Sequence, residues 1–200
     1  MKLILSSCDF RNDHAKKTII DNLPKPISQC KLLYIPNEKA TFDTIHSDRY
    51  YFRMEEFGFT RENVSVFDYD NTEAFRGLDI DILYISGGNT FATIDRLRKS
   101  NFENEIIRYV KNGVLYIGGS AGAHIASQNI EHVAEFDPIP DGMTDFHGLG
   151  LFDGILICHY TEDRSALYEK LKAEGTYKVF ALGNDDSLVI YSDKDSVMKQ

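Results

Sequence analysis

The 200-residue sequence is poor in cysteine and in positive charge, and it has no long hydrophobic run. Its three cysteines, Cys8, Cys30 and Cys158, are far apart and form no C-x-x-C motif, which is typical of a reducing compartment rather than of a disulfide framework. A formal net charge of -9 argues against nucleic acids and acidic membranes as partners, because both demand a basic face. Charged residues follow the first apolar positions too closely for a signal peptide, and no run approaches a membrane span. We therefore expect a cytoplasmic protein.

The sequence does contain a regular alternation of short apolar runs and helical patterns. The runs are continuous in hydrophobicity, as expected of strands that are covered on both faces. They comprise Leu3–Leu5, Lys31–Ile35, Val64–Phe67, Ile82–Ile85, Val114–Ile117, Ile155–Cys158, Val179–Leu182 and Leu188–Tyr191. Between them, apolar residues such as Phe91, Ile94 and Leu97 recur at helical spacing. This alternation predicts a single α/β domain over residues 1–200, with a three-layer, doubly wound and mostly parallel sheet.

The glycine-rich segment Gly118-Gly119-Ser120-Ala121-Gly122 lies between a predicted strand and a predicted helix. Small neighbours suit a nucleophile elbow, because the chain folds back tightly around a strained serine. The following helix points its N-terminus at Ser120 and can stabilise a developing anion. The plainer alternative is a strand–helix connection with an N-capping serine. A phosphate-binding loop is disfavoured, since no lysine follows and G-x-G-x-x-G is absent. We predict that Ser120 is a nucleophile.

A serine nucleophile needs a base, and the sequence contains six histidines. His159 follows the strand Ile155–Cys158, at the sheet edge where ligands bind, although a structural histidine at a strand end is the alternative. The acid that orients the histidine should follow another strand. Asp185 or Asp186, after the strand Val179–Leu182, could accept from the imidazole, and a solvated acidic turn is the alternative that the pattern slightly favours.

An oxyanion hole needs two donors, and backbone N–H groups can supply both. One is the N–H of Ala121, directly after the nucleophile, and the other is an N–H of the Gly87-Gly88 pair that ends the preceding strand. A metal-dependent hydrolase is disfavoured, because the sequence has no H-E-x-x-H motif and its histidines are scattered. The sequence therefore predicts neither a metal nor a cofactor.

With these motifs, the chain resembles peptidase family S51, which comprises the aspartyl dipeptidases and the cyanophycinases. The likeness covers most of the chain and is most specific in Gly87–Phe91, in Gly119–Ala123 and from Leu151 to Tyr160. The resemblance implies a fold similar to class I glutamine amidotransferases and flavodoxin. It also implies Ser120 as the nucleophile and His159 as the base, with Gly88 and Ala121 as the oxyanion donors.

The resemblance implies a triad acid and a substrate site as well. The acid, often glutamate in the family, falls best on Asp185, or on Asp186 if the loop is one residue out of register. An arginine beyond the histidine binds the substrate's aspartate side chain in the aspartyl dipeptidases, and it matches Arg164 if a short segment is missing here. Asn89 and Glu135 are further candidate substrate-binding residues, with Asp137 as the alternative to Glu135.

The implied activity is that of a serine exopeptidase that hydrolyses dipeptides or short peptides, including Asp-first dipeptides, through an acyl-enzyme. Its partner would be a short peptide substrate. Two alternatives remain open. One is a catalytically weakened homologue that binds a small ligand, since an aspartate replaces glutamate and the loop after His159 departs from the family pattern. The other is a small-molecule esterase.

Overall fold

The strands and helices of the chain are described in a computed structural model that covers residues 1–191 and 197–199. The strands are β1 (Lys2–Ser6), β2 (Leu32–Ile35), β3 (Val64–Val66), β4 (Ile82–Ile85), β5 (Leu115–Gly119), β6 (Ile155–Ile157), β7 (Val179–Ala181), β8 (Ser187–Tyr191) and β9 (Val197–Lys199). The α-helices are α1 (Asp13–Asp21), α2 (Phe42–Ile45), α3 (Arg49–Phe57), α4 (Thr90–Lys99), α5 (Glu103–Lys111), α6 (Ala121–Ile125) and α7 (Ser165–Glu174).

A central sheet has the strand order β3-β2-β4-β5-β1-β8-β9. Its first five strands run in parallel, whereas β8 is antiparallel to β1 and β9 is antiparallel to β8. Every residue of β2, β4 and β5 is buried, which requires cover on both faces of the sheet. The predicted α/β class with a mostly parallel sheet is therefore confirmed.

The helices bury the faces that their apolar spacing predicts. Phe91, Ile94 and Leu97 of α4 are fully buried, and so are Ile106 and Val110 of α5. Burying an aliphatic or aromatic side chain of this size contributes about 1.5–3 kcal/mol. No helix in the described part of the chain is long and apolar enough to cross a lipid bilayer.

The strands β6 and β7 form a separate two-stranded parallel sheet, although the sequence gives no sign that they leave the main sheet. Ser7, just after β1, joins this small sheet to the large one. Its Oγ accepts the N–H of His159 at 2.9 Å and donates to the carbonyl of Leu182 at 2.9 Å. The carboxyl ends of β6 and β7 are thereby held against the carboxyl end of β1.

Candidate active site

Ser120 occupies a strained turn between β5 and α6, as the sequence predicts. Its φ of 48° and ψ of -106° lie in a region that side-chain-bearing residues rarely adopt. The neighbouring glycines are needed for the close packing of this turn. A Cβ at Gly122 would lie 2.1 Å from the carbonyl oxygen of Ile85 in β4, and a Cβ at Gly119 would lie 2.1 Å from the Asp9 carboxylate.

His159 reaches Ser120 from the end of the small sheet. The Oγ of Ser120 and the Nε2 of His159 are 3.0 Å apart, which is a hydrogen bond. His159 also has a positive φ of 52°, and its backbone N–H is held by Ser7. In the tautomer whose Nε2 accepts the serine proton, Nδ1 carries a hydrogen and must find an acceptor.

That acceptor is Asn184, whose Oδ1 lies 2.7 Å from Nδ1 of His159. The carboxylate of Asp185 does not occupy this position. It faces the N-terminus of α1, where its Oδ1 accepts from the side chain of Asn12 at 2.7 Å. Asp186 accepts a backbone N–H within its own turn. Asn184, which carries the first side chain of this turn, therefore faces the imidazole. It lies one residue before the predicted Asp185 and two residues before the alternative, Asp186. Asn184 lies inside the predicted loop but is not among the residues that the sequence predicts.

A second histidine, His124, is buried behind the site, where its ring makes hydrogen bonds within the protein. Its Nε2 accepts the backbone N–H of Cys158 at 3.2 Å, and its Nδ1 faces the hydroxyl of Thr90 at 3.3 Å. Burial holds the pKa of His124 well below its usual value, so the ring is neutral. Burial also raises the pKa of the Cys158 thiol to about 12, which keeps this side chain protonated and unreactive.

Two glycines after β4 lie opposite the serine. A Cβ at Gly87 would come within 3.2 Å of Ser120 Cβ, and a Cβ at Gly88 would lie 2.4 Å from the carboxylate of Glu38. Within the described residues, neither the N–H of Gly88 nor that of Ala121 donates to a carbonyl of another element or loop. The assignment of these two N–H groups to an oxyanion hole stays a prediction.

Ser120, His159 and Asn184 line one cleft of about 570 Å³. Its lining residues are Ser7, Cys8, Arg11, Asn12, Gly87, Gly88, Ser120, His159 and Asn184. The cation among them is Arg11, whose Nε and Nη2 donate to the Asp9 carboxylate at 2.9 and 3.0 Å. Partial burial acts to lower the pKa of Arg11, but the hydrogen bond and charge of Asp9 outweigh it and raise that pKa. No sequence motif marks Arg11, and its one signal is its place soon after the end of β1.

Arg164 does not line this cleft. Its guanidinium lies 3.8 Å from the centre of the Phe136 ring and donates to the carbonyl of Cys158. Both contacts are within the protein and fix the segment that follows His159. The structure therefore gives Arg164 a structural setting beside the site rather than a position in it.

The other predicted substrate-binding residues are also apart from Ser120. The side chain of Asn89 caps α4 by accepting from Ala92 N–H and donates to the carbonyl of Pro138. Asp137 accepts the N–H at the start of α4. Glu135 lines a different cleft, between α7 and the segment after α6. Asn89 and Asp137 thus anchor the segment beyond α6, and Glu135 is not brought to the serine.

Comparison with known proteins connects this site to one family. A sequence model of peptidase family S51 matches residues 3–198. An uncharacterized peptidase of Pasteurella multocida is 36% identical over 83 residues, which are 40% of this chain and 40% of that protein. Peptidase E of Citrobacter koseri is 38% identical over 96 residues, which are 48% of this chain and 40% of that protein. The aligned segments thus span less than half of the length of these two relatives.

Comparison with a crystal structure shows that the fold is similar as well. This crystal structure is that of a provisionally assigned peptidase E protein from Listeria monocytogenes EGD-e, with a TM-score of 0.75 and 22% identity. The match covers 100% of this chain and 97% of that chain. It confirms the predicted flavodoxin-like fold of the class I glutamine amidotransferase type. From the family match over nearly its whole length, this chain belongs to peptidase family S51.

Proposed function

We propose that the protein is a serine exopeptidase that hydrolyses dipeptides and short peptides through an acyl-enzyme. The observation that supports this proposal is the continuous chain of hydrogen bonds from Ser120 Oγ through the imidazole of His159 to Asn184 Oδ1, with distances of 3.0 and 2.7 Å. A nucleophile, a base and a group that orients the base are the minimum for acyl transfer by a serine.

In the first half of the reaction, Ser120 Oγ attacks the scissile carbonyl carbon while its proton passes to Nε2 of His159. The carbonyl oxygen becomes an oxyanion that accepts from the N–H groups of Gly88 and Ala121. When the tetrahedral intermediate collapses, the C–N bond breaks and the leaving amine takes the proton from Nε2. The amino-terminal part of the substrate remains as an ester of Ser120.

In the second half, water replaces the amine. His159 Nε2 takes a proton from the water as its oxygen attacks the ester carbonyl, and the same proton then returns to Ser120 Oγ. The C–O bond to Ser120 breaks, and a carboxylic acid leaves. Throughout both halves, Asn184 accepts from Nδ1 of His159 and keeps Nε2 directed at the serine.

The finer proposal, that the first residue of the substrate is aspartate, rests on the resemblance to the aspartyl dipeptidases. It takes no support from Arg164, whose guanidinium is engaged by Phe136 and Cys158. A direct comparison of Asp-Leu with Ala-Leu as substrates tests this preference. A kcat/KM for Asp-Leu that does not exceed that for Ala-Leu would contradict it.

The test of the proposed function combines a covalent probe with turnover. A fluorophosphonate should label the wild-type protein at Ser120, as identified by mass spectrometry of the labelled peptide. The Ser120→Ala variant should not be labelled, and its kcat for a dipeptide should fall by roughly 10⁴–10⁶. Turnover by Ser120→Ala at the wild-type rate would refute the proposal, and so would a wild-type protein that neither reacts with the probe nor hydrolyses any dipeptide.

A further inference from the structure

We propose that Arg11 binds the free C-terminal carboxylate of the residue that leaves, so that this side chain restricts the enzyme to substrates with one residue after the scissile bond. This inference rests on the proposed peptidase function and deepens it, because it names the group of the substrate that the cleft selects.

Arg11 lies close to the nucleophile, because both side chains adjoin Gly87. The position of a Cβ at Gly87 would be 3.2 Å from Nη2 of Arg11 and also 3.2 Å from Cβ of Ser120. The guanidinium and the serine therefore flank the same point in the cleft. In a dipeptide, the terminal carboxylate is three bonds from the scissile carbonyl carbon, which is a separation of about 3.8 Å if each residue is extended. A substrate acylating Ser120 can therefore bring its terminus to Arg11.

The part of the substrate that enters the cleft beside His159 decides which carboxylate Arg11 can meet. The leaving amine must reach Nε2 of His159 to take its proton, so the leaving residue lies in the part of the cleft that His159 lines. Arg11 lines that same cleft, together with Asn12 and Asn184. In the proposed binding mode, the leaving residue carries its free carboxylate into this space, whereas the side chain of the first residue extends from the other end of the scissile carbonyl.

The guanidinium of Arg11 is held in place by Asp9, a buried residue whose placement is unfavourable for folding. Asp9 is fully buried, and its φ of 48° is unfavourable for an aspartate. A buried carboxylate is expensive unless it is paired, and here Arg11 binds both of its oxygens. Asp9 also fits against Gly119, where a Cβ would overlap its carboxylate. Asp9 is thus the positioning residue of Arg11.

This pairing leaves part of the guanidinium free for a ligand. Asp9 uses the Nε hydrogen and one Nη2 hydrogen, so both Nη1 hydrogens and the second Nη2 hydrogen remain. The Arg11 side chain is 56% exposed, which leaves these donors accessible from the cleft. Two N–H groups of a guanidinium match the two oxygens of a carboxylate, and this geometry is the reason that arginine recognises free termini better than lysine.

The experiment compares Asp-Leu, Asp-Leu-amide and Asn-Leu as substrates of the wild type and of Arg11→Gln. The wild type should prefer Asp-Leu to its amide by roughly 10- to 100-fold in kcat/KM, as expected for a charge-assisted contact. In Arg11→Gln, the ratio of acid to amide should fall towards one, and Arg11→Lys should give an intermediate ratio. Arg164→Gln, the matched control, should keep the wild-type ratio.

Two results would overturn the inference while the proposed function stands. One is an acid-to-amide ratio that Arg11→Gln leaves at the wild-type value. The other is a loss in Arg11→Gln of the preference for Asp-Leu over Asn-Leu with the acid-to-amide ratio retained, which would assign Arg11 to the side chain of the first residue. Fluorophosphonate labelling of Arg11→Gln reports separately that Ser120 and His159 are intact. Failure of the proposed function would instead abolish labelling and turnover of the wild type.

Discussion

At the scale of single residues, the proposed triad is distinctive because a neutral amide orients the histidine. Asn184 accepts from Nδ1 of His159 at 2.7 Å and so fixes the ring, but it brings no negative charge to the imidazolium that forms during the reaction. A carboxylate would do both. Asn184 Oδ1 also lies 3.5 Å from the thiol sulfur of Cys8, so the Nδ1–H of His159 and the thiol of Cys8 share one uncharged acceptor.

Substitutions at Asn184 should therefore separate orientation from charge. Asn184→Ala removes the acceptor and should lower kcat/KM by roughly 10²–10⁴, by analogy with other triads. Asn184→Asp keeps an acceptor and should retain more activity than Asn184→Ala. The acid limb of its profile of kcat/KM against pH should move to higher pH, because an adjacent carboxylate favours the protonated imidazole.

The matched control for these variants is Asp185→Asn, which changes the neighbouring side chain in the same turn. Its amide can still accept from Asn12, so activity should stay close to that of the wild type. A loss in Asp185→Asn as large as that in Asn184→Ala would show that the carboxylate predicted from the sequence is the group that matters. Steady-state kinetics from about pH 5 to 9 measure all three variants.

The sequence predicts Ser120 and His159 because each carries a strong local signal, a glycine-rich elbow in one case and a strand end in the other. Asn184 escapes prediction because a carboxylate is the expected partner of a catalytic histidine and Asp185 lies next to it. Which of the two faces the ring depends on the course of one turn. Arg11 has no motif, since its proposed role depends on its pairing with Asp9 and on its place beside Gly87, which only the fold creates.

At the scale of elements, the small sheet of β6 and β7 positions the base and its orienting residue together. Parallel neighbours end at the same edge, so His159 after β6 and Asn184 after β7 are adjacent. The sequence predicts both strands, because their apolar runs resemble those of the main sheet. It does not predict that they pair apart from that sheet, since strand partners are chosen by packing and by single contacts such as that of Ser7.

Ser7 should therefore matter to both stability and activity. Ser7→Ala would leave the partly buried N–H of His159 without its partner, at a cost of about 1–3 kcal/mol. It would also remove one of the two donors to the carbonyl of Leu182, which keeps its bond from the N–H of Tyr160. The base would also be less well placed, so kcat/KM should fall by more than the loss of folded protein explains. Urea denaturation followed by circular dichroism measures the free energy of unfolding.

Ser187 provides the matched control for this prediction. Its side chain is as buried as that of Ser7, but its hydroxyl has no hydrogen-bond partner within the described residues. Removing that hydroxyl breaks no bond, so Ser187→Ala should change stability by less than about 0.5 kcal/mol. Equal destabilisation by the two substitutions would mean that the bonds of Ser7 do not hold the small sheet.

At the scale of the whole molecule, the candidate site is the point where five strands end. The ends of β1, β4, β5, β6 and β7 contribute Ser7, Gly87, Ser120, His159 and Asn184 to one cleft. A parallel sheet brings such ends to one edge, which is why a general rule about strand ends predicts most of these positions from sequence. The same convergence buries His124 directly beneath the cleft, and this links the stability of the molecule to pH.

The free energy of unfolding should decrease as the pH falls below about 6.5, and His124 should cause part of that decrease. Burial keeps the pKa of His124 low in the folded protein, whereas the ring binds a proton near pH 6.5 in the unfolded chain. The unfolded state then holds more protons, so stability is fully present above pH 6.5 and is lost as the pH falls. The slope from one such group is at most about 1.4 kcal/mol per pH unit. His132, His159 and Arg164 face His124 and oppose its protonation further.

His124→Gln tests this prediction, because a glutamine side chain can place an oxygen where Nε2 now accepts the N–H of Cys158. Urea denaturation at pH 5, 6, 7 and 8 should give a flatter dependence of unfolding free energy on pH in this variant than in the wild type. His132, whose pKa is also lowered by burial, should account for part of the remaining slope. His14→Gln, at an exposed position of α1, should keep the wild-type slope. If His124→Gln keeps the wild-type slope as well, then His124 takes up its proton without unfolding, and the cleft tolerates a charge beneath Ser120.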